Sequence, residues 1–139
     1  MKYILIGGSG FIGQHFLKKL DKEIILNLDI DEGINKSDFI YCDINKINSL
    51  NKISIPNHKE ITLIHLAAVH FDFQKNYYKT NVEGTRNILN FVQKNNINNY
   101  VFFSSVATYG KYYVTVNENM PQKPYNNYGK SKLEAEKLI

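Results

Sequence analysis

The chain has 139 residues, enough for one domain with a hydrophobic core and too few for two domains of ordinary size. It is 43% hydrophobic and 22% charged, as in soluble globular proteins, and no apolar run approaches the roughly 20 residues needed to span a bilayer. The net charge of +4 comes from dispersed lysines, with Arg86 the only arginine, and Cys42 is the only cysteine, so the composition argues against a nucleic-acid reader, a disulfide framework and a cysteine-based zinc site.

The predicted elements alternate between strands and helices along the chain. They are a strand at 2–6, a helix at 11–20, a strand at 24–28, a short strand at 39–42, a weak polar helix at 45–53, a strand at 61–66, an amphipathic helix at 77–95, a strand at 100–104, and a helix that starts near Asn127 and is still running at Ile139. Apolar strands separated by helices predict a doubly wound, Rossmann-like α/β fold, in which helices cover both faces of a parallel sheet.

Two of the predicted helices have apolar residues at helical spacing, and those of the helix at 77–95 are expected on its buried side. These residues are Phe11, Ile12, Phe16, Leu17 and Leu20 in the first helix, and Val82, Ile88, Leu89 and Val92 in the helix at 77–95.

A glycine-rich segment, GGSGFIG at 7–13, joins the first predicted strand to the first predicted helix. Backbone N–H groups and the positive end of a helix at such a corner favour a bound diphosphate. In the spacing G-x-x-G-x-x-G, Gly7 makes the tight turn, Gly10 lets the backbone approach the phosphates, and Gly13 lets the helix lie close to the sheet. The segment also fits G-x-G-x-x-G from Gly8, and a tight turn without a ligand is the alternative.

Asp29 ends the second predicted strand, at about the 20-residue distance from the glycines that dinucleotide-binding proteins use. Its carboxylate can accept hydrogen bonds from the adenosine ribose hydroxyls and would repel a 2′-phosphate. Because no arginine lies nearby to bind that phosphate, the sequence predicts NAD rather than NADP as cofactor. Asp31 is a rival for the same role, and a polar strand end without function is the alternative.

Tyr128 and Lys132, in the segment YGKSK, are four residues apart and therefore share one face of the last predicted helix. A phenol is a poor base at neutral pH, but a nearby ammonium group favours its phenolate form. Such a tyrosine can take the proton of a sugar hydroxyl while hydride leaves the same carbon. The pair alone is a weak signal, and its position after a strand ending at Ser104 and Ser105 strengthens it.

Together these segments resemble the extended short-chain dehydrogenases/reductases, in the NAD-dependent sugar-nucleotide epimerase/dehydratase family. The resemblance is carried, in order along the whole chain, by GGSGFIG, LDID, CDIN, HLAA, NVEGTRNIL, SSVATYG and YGKSK. Several motifs in register are far more specific than any one of them.

The resemblance implies site residues beyond those argued above. The residues implied to contact NAD are Gly7, Gly10, Phe11, Ile12, Gly13, Asp29, Asp43, Ile44, Ala67, Ala68, Asn81 and Lys132. It implies that Tyr128 is the acid/base, that Lys132 promotes its ionisation and holds the nicotinamide ribose, and that Ser105 hydrogen-bonds the reacting oxygen. Asn81 is implied to hold the geometry of the active-site helix and a water. No metal is expected, since His70 and Asp72 are too few ligands.

Two departures from the family pattern refine these expectations. Dehydratases of the family usually carry acidic residues just after the catalytic Ser/Thr, whereas this chain has Val106 and Ala107, which cannot transfer protons. The resemblance therefore implies a nucleotide-sugar 4-epimerase of the kind found in surface-polysaccharide pathways. The alternatives are an NAD-dependent ketoreductase and a non-catalytic dinucleotide-binding remnant.

The second departure is length, because family members run to roughly twice this length or more and carry a smaller C-terminal domain that grips the nucleotide-sugar. On this comparison residues 1–139 are expected to be an incomplete, C-terminally truncated NAD-binding domain, with the fifth strand at a sheet edge. The expected partners are a nucleotide-sugar in the full-length parent and a second copy in a homodimer, with no nucleic acid and no membrane. The expected location is the cytoplasm.

Overall fold

The computed structural model describes residues 1–33, 38–70, 76–112 and 114–139. In this part of the chain five strands form one sheet, and they are β1 (Lys2–Ile6), β2 (Ile24–Asp29), β3 (Phe39–Tyr41), β4 (Ile61–His65) and β5 (Asn99–Phe102). The helices are α1 (Phe11–Leu20), α2 (Ile47–Asn51), α3 (Gly84–Lys94) and α4 (Asn127–Glu136). The strand order is β3-β2-β1-β4-β5 and every pair is parallel, which confirms the predicted Rossmann-like parallel sheet. This order places the switch point of the sheet beside β1.

The predicted elements are confirmed in order, and the corrections fall at their ends and at the start of the helix predicted at 77–95, where a π-helical turn at Lys79–Glu83 precedes α3. The fifth strand ends at Phe102 rather than at Ser104, because the two serines bond to other elements after the strand. The weak polar helix predicted at 45–53 is only the five residues of α2. The last helix ends at Glu136 rather than running through Ile139, since the N–H groups of the last two residues bond to carbonyls three positions back, the tighter pattern common at helix ends.

The chain divides into two compact units, of which the first is Met1–Ala67 with Asn87–Phe103. This unit holds the sheet, and its core lies on both faces of it. One cluster of buried residues consists of Ile4, Ile6, Leu26, Leu28, Cys42, Ile44, Leu50, Ile61, Leu63, Ile88, Phe91 and Ile97, and the other of Leu5, Leu17, Ile24 and Ile64. Strand β4 is buried at every position, as expected of a strand covered by helices on both faces.

The apolar residues that lie at helical spacing in α1 divide between the core and the surface. Leu17 is 3% exposed, but Phe11 is 85% and Ile12 48% exposed. The first turn of α1 makes its close contact through Gly13 instead, so these two side chains are left at the surface. Further along the chain Val82 and Ile88 are buried as predicted, and Phe91, which was not predicted, is buried with them.

The second unit is Ala68–Arg86 with Ser104–Ile139. It contains α4, a 3₁₀ turn at Val106–Thr108, and a π-helical turn at Lys79–Glu83 that leads into α3. Asn126 caps α4, because its Oδ1 accepts the Gly129 N–H at 2.7 Å. Among the described residues, no helix combines the length and the apolar character needed to cross a membrane.

Candidate functional site

The glycine segment turns sharply at Gly7, immediately after β1. Gly7 has φ +83°, in the left-handed region that disfavours other residues, and a Cβ there would lie 2.5 Å from the Ala67 backbone nitrogen. The Ala67 N–H in turn donates to the Ile6 carbonyl at 2.9 Å. Gly7 is therefore required by the turn and by the chain that leaves β4.

The other glycines of the segment differ in what surrounds them. A Cβ on Gly8 would lie 2.3 Å from Asn27 Oδ1, and one on Gly13 would lie 2.3 Å from the Gly8 carbonyl oxygen. At Gly10, by contrast, the nearest described atom is the Gly7 oxygen at 3.4 Å, an ordinary contact distance. The protein's own packing explains Gly7, Gly8 and Gly13, whereas at Gly10, which lies at the surface, a Cβ would meet only that one oxygen.

The carboxylate of Asp29, at the end of β2, lies against this glycine segment. Its Oδ2 accepts the Ser9 N–H at 2.9 Å, and its Oδ1 accepts the N–H groups of Ile30 at 2.7 Å and Asp31 at 3.3 Å. Asp31 itself is exposed and accepts the Gly33 N–H at 3.1 Å. Of the two rivals, Asp29 is the one joined to the glycine segment.

The remaining candidates in the first unit are Asp43 and Ile44, which follow β3. Asp43 accepts the Asn45 N–H at 3.0 Å and forms an ion pair with Lys46 at 3.3 Å. The Ile44 side chain is 5% exposed and belongs to the hydrophobic core, while its carbonyl accepts a hydrogen bond from Asn87 Nδ2 at 2.8 Å. Any contact of Ile44 with a cofactor would therefore fall to its backbone N–H.

In the second unit, Asn81 lies within the π-helical turn and connects two segments. Its Oδ1 accepts the Val69 N–H at 2.8 Å, and its Nδ2 donates to the Val69 carbonyl and to Ser131 Oγ, each at 2.9 Å. Ser131 Oγ donates onward to the Tyr128 carbonyl at 2.8 Å. With both of its N–H groups engaged, the Asn81 amide holds α4 beside the segment that includes Ala68 and Val69.

Helix α4 carries Tyr128 and Lys132 one turn apart. Tyr128 is half-buried, and its ring meets that of His70 edge-on, with centroids 6.4 Å apart. Lys132 is only 2% exposed, and this burial lowers its pKa to about 8, while the carboxylate of Glu136, one turn further along, acts in the opposite direction. At pH 7 the Lys132 ammonium is therefore still mostly protonated.

The two serines after β5 have different bonds. Ser104 Oγ donates to Glu136 Oε1, and the other carboxylate oxygen, Oε2, accepts a hydrogen bond from Gln122 Nε2 at 2.7 Å. Ser105 Oγ instead accepts the Ala107 N–H at 3.1 Å at the start of the 3₁₀ turn, which leaves its own O–H to donate. Of these two serines, Ser105 is the one that combines a fixed Oγ position with a hydroxyl hydrogen free to donate to a ligand.

The sequence reasoning missed two residues of α4 that fix this arrangement. Gly129 packs on the 3₁₀ turn, since a Cβ there would lie 2.3 Å from the Ala107 carbonyl oxygen. Ser131, 3% exposed, links Asn81 to the Tyr128 backbone. Both residues lie inside the segment YGKSK. Two small residues between the tyrosine and the lysine of one motif are the sequence signal that could have indicated close packing there. Asp72, weighed as a metal ligand, lies outside the described residues.

Comparisons with known proteins relate this chain to one family. The family model described as NAD dependent epimerase/dehydratase family matches residues 3–139. A similar protein is the N-acetyl-alpha-D-glucosaminyl-diphospho-ditrans,octacis-undecaprenol 4-epimerase of Escherichia coli O157:H7, 36% identical over 143 residues that cover 98% of this chain and 42% of that protein. Another is the putative UDP-glucose 4-epimerase of Methanocaldococcus jannaschii, 37% identical over 152 residues that cover 98% of this chain and 49% of the relative.

A solved structure gives the same picture. The UDP-glucose 4-epimerase from Brucella ovis in complex with NAD is 28% identical to this chain, with a TM-score of 0.80, and the match covers 99% of this chain and 46% of the other. The chain thus spans just under half the length of these relatives.

Proposed function

The chain belongs to the NAD-dependent epimerase/dehydratase family, and from that premise we propose that it supplies the dinucleotide-binding and proton-transfer parts of a nucleotide-sugar 4-epimerase. The observation that carries the proposal is α4, which holds a tyrosine one turn from a buried and mostly protonated lysine. The curated relatives named as 4-epimerases support this reaction in preference to a one-way reduction. We assign residues 1–139 to the NAD-binding domain of that enzyme.

The first unit fits a bound NAD at the glycine segment. The open space beside Gly10 is where a Cβ would obstruct a diphosphate, and the N-terminus of α1 adds a favourable dipole. The Asp29 carboxylate is held by three backbone N–H groups, and its Oδ2 keeps a lone pair that can accept a hydrogen bond from a ribose hydroxyl. The exposed side chains of Phe11 and Ile12 offer apolar contact to the same ligand. When bound, NAD⁺ accepts hydride from a sugar carbon.

The second unit supplies the proton chemistry. Tyr128 Oη, one helical turn from the Lys132 ammonium, accepts the proton of the sugar 4-hydroxyl and later returns it. Ser105 Oγ donates to the same sugar oxygen and holds it in place. Asn81 and Ser131 act on the position of Tyr128 through its backbone carbonyl. After Ser105, Val106 and Ala107 have no group that can move a proton, which supports epimerisation over water elimination.

The cofactor assignment predicts that the chain binds NAD⁺ at least about tenfold more tightly than NADP⁺, because Asp29 accepts the ribose hydroxyls and repels a 2′-phosphate. Asp29→Asn should weaken NAD⁺ binding about tenfold and so reduce the preference of the chain for NAD⁺ over NADP⁺. Isothermal titration calorimetry with NAD⁺ and with NADP⁺ measures the two dissociation constants. Asp31→Asn is the matched control and should behave like the unchanged chain. A preference for NADP⁺, or an effect of Asp31→Asn equal to that of Asp29→Asn, would refute the role of Asp29.

The reaction is tested in a hybrid protein, in which residues 1–139 replace the matching segment of the Brucella ovis UDP-glucose 4-epimerase. We expect this hybrid to interconvert UDP-glucose and UDP-galactose, because this chain brings the acid/base set and the rest of the hybrid brings sugar selection. Proton NMR of the anomeric signals follows the conversion. A folded, NAD-binding hybrid that performs no conversion contradicts the proposal, and one that oxidises the sugar and releases NADH indicates dehydrogenase chemistry instead.

A further inference from the structure

Asn27 is an unusual residue for the middle of a buried strand. It lies in β2, is 0% exposed, and asparagine is both depleted in strands and unfavourable to bury without hydrogen bonds. Its Nδ2 donates to Ser9 Oγ at 3.2 Å. Its Oδ1 faces Gly8 and has no hydrogen-bond partner among the described residues. One buried polar group is thus directed at the glycine segment.

Ser9, the residue that Asn27 contacts, is held from several sides. Besides receiving the Asn27 amide, it donates its backbone N–H to Asp29 Oδ2 at 2.9 Å and accepts Gln14 Nε2 on its carbonyl at 2.9 Å. Gly33 packs on it so closely that a Cβ there would lie 2.9 Å from Ser9 Cβ. The Ser9 peptide therefore connects the glycine segment to the chain that follows β2.

We infer that Asn27 and Ser9 act as a positioning pair that selects a dinucleotide with a free 2′-hydroxyl. Asn27 fixes Ser9, and the Ser9 N–H fixes one oxygen of the Asp29 carboxylate relative to the glycine turn. Neither side chain needs to contact the cofactor, because the pair acts through the position of the Asp29 carboxylate. The inference rests on the proposed function, in which Asp29 accepts the ribose hydroxyls.

The test compares the dissociation constants of NADH and NADPH by fluorescence titration of the 139-residue chain. Asn27→Leu has a similar volume and no donor, so it should weaken NADH binding about tenfold and change NADPH binding little. Ser9→Ala should lower the NADPH-to-NADH ratio of dissociation constants in the same way. The double variant should lower it no further than either single one, because both changes remove the same contact.

The control is Thr62→Val, which removes a buried polar group from β4, a strand of the same sheet that β1 separates from β2. It should leave the ratio unchanged even where it lowers the melting temperature. An unchanged ratio in Asn27→Leu, or an equal fall in Thr62→Val, overturns the inference. Where Asn27→Leu fails to fold by circular dichroism, the ratio measured for Ser9→Ala decides.

The outcome also separates this inference from the proposed function. A parent chain that binds neither dinucleotide overturns both. A parent chain that prefers NADH, with Ser9→Ala and Asn27→Leu keeping that preference in full, overturns the positioning role alone.

Discussion

Gly10→Ala is expected to weaken NADH binding by about 10- to 100-fold and to leave the chain folded. A single added methyl group that has to be accommodated against a bound diphosphate costs about 1–3 kcal/mol of binding free energy. Within the protein the same methyl group meets only the Gly7 oxygen at 3.4 Å, and Gly10 has φ −71°, which alanine adopts without strain. The loss should therefore appear in binding, measured by NADH fluorescence, and hardly at all in stability.

Gly7→Ala is the comparison that makes the result specific. Gly7 has φ +83°, and an alanine Cβ there would lie 2.5 Å from the Ala67 nitrogen, so the strain falls on the fold itself. We expect Gly7→Ala to lower the free energy of unfolding by about 2–5 kcal/mol, whereas Gly10→Ala should lower it by less than about 1 kcal/mol through poorer capping of α1. Urea denaturation measures both. If Gly10→Ala keeps full NADH affinity, the diphosphate does not bind at this loop.

The sheet could be predicted from sequence because its signal is local and repeated. The apolar strands and the helices between them predict a parallel, doubly covered sheet, whereas the strand order is known only from the structure. The start of α1 could not be predicted in the same way. Helical spacing groups Phe11 and Ile12 with Leu17, but only Leu17 is buried, since Gly13 lets the first turn contact the Gly8 backbone directly and both other side chains are exposed.

The candidate site was predicted as a set of residues, but not as a set of contacts. The glycine spacing was ambiguous in the sequence, and only the structure shows that Gly8 packs on Asn27 while Gly10 is open. Ser131 and Asn27 escaped notice because each is a small polar residue whose importance depends on a partner 50 or 18 positions away. Periodicity and motif spacing report neighbours along the chain, so hydrogen bonds of this range leave no local signal.

Tyr128→Phe is expected to reduce turnover of the hybrid protein by about 10²- to 10⁴-fold, the range that general acid–base groups contribute. Phenylalanine keeps the ring, its half-buried position and its contact with His70, and it loses only the hydroxyl that accepts and returns the sugar proton. The hydrogen bond between Tyr128 and Ser131 uses the Tyr128 backbone carbonyl, which the substitution does not alter. NADH affinity and the melting temperature should therefore stay near those of the unchanged hybrid.

Tyr125→Phe provides the matched control, since it removes a phenol close to the start of the same helix. Tyr125 is 59% exposed, and its ring, which the substitution keeps, lies 4.8 Å from the Lys111 ammonium. Steady-state rates for the two variants separate a proton-transfer role from a general need for tyrosine in this segment. If Tyr128→Phe keeps its turnover, or if both variants lose turnover equally, Tyr128 is not the acid/base. A loss confined to Tyr128→Phe, with cofactor binding intact, places the missing step at the phenol oxygen, because no other group of the side chain has changed.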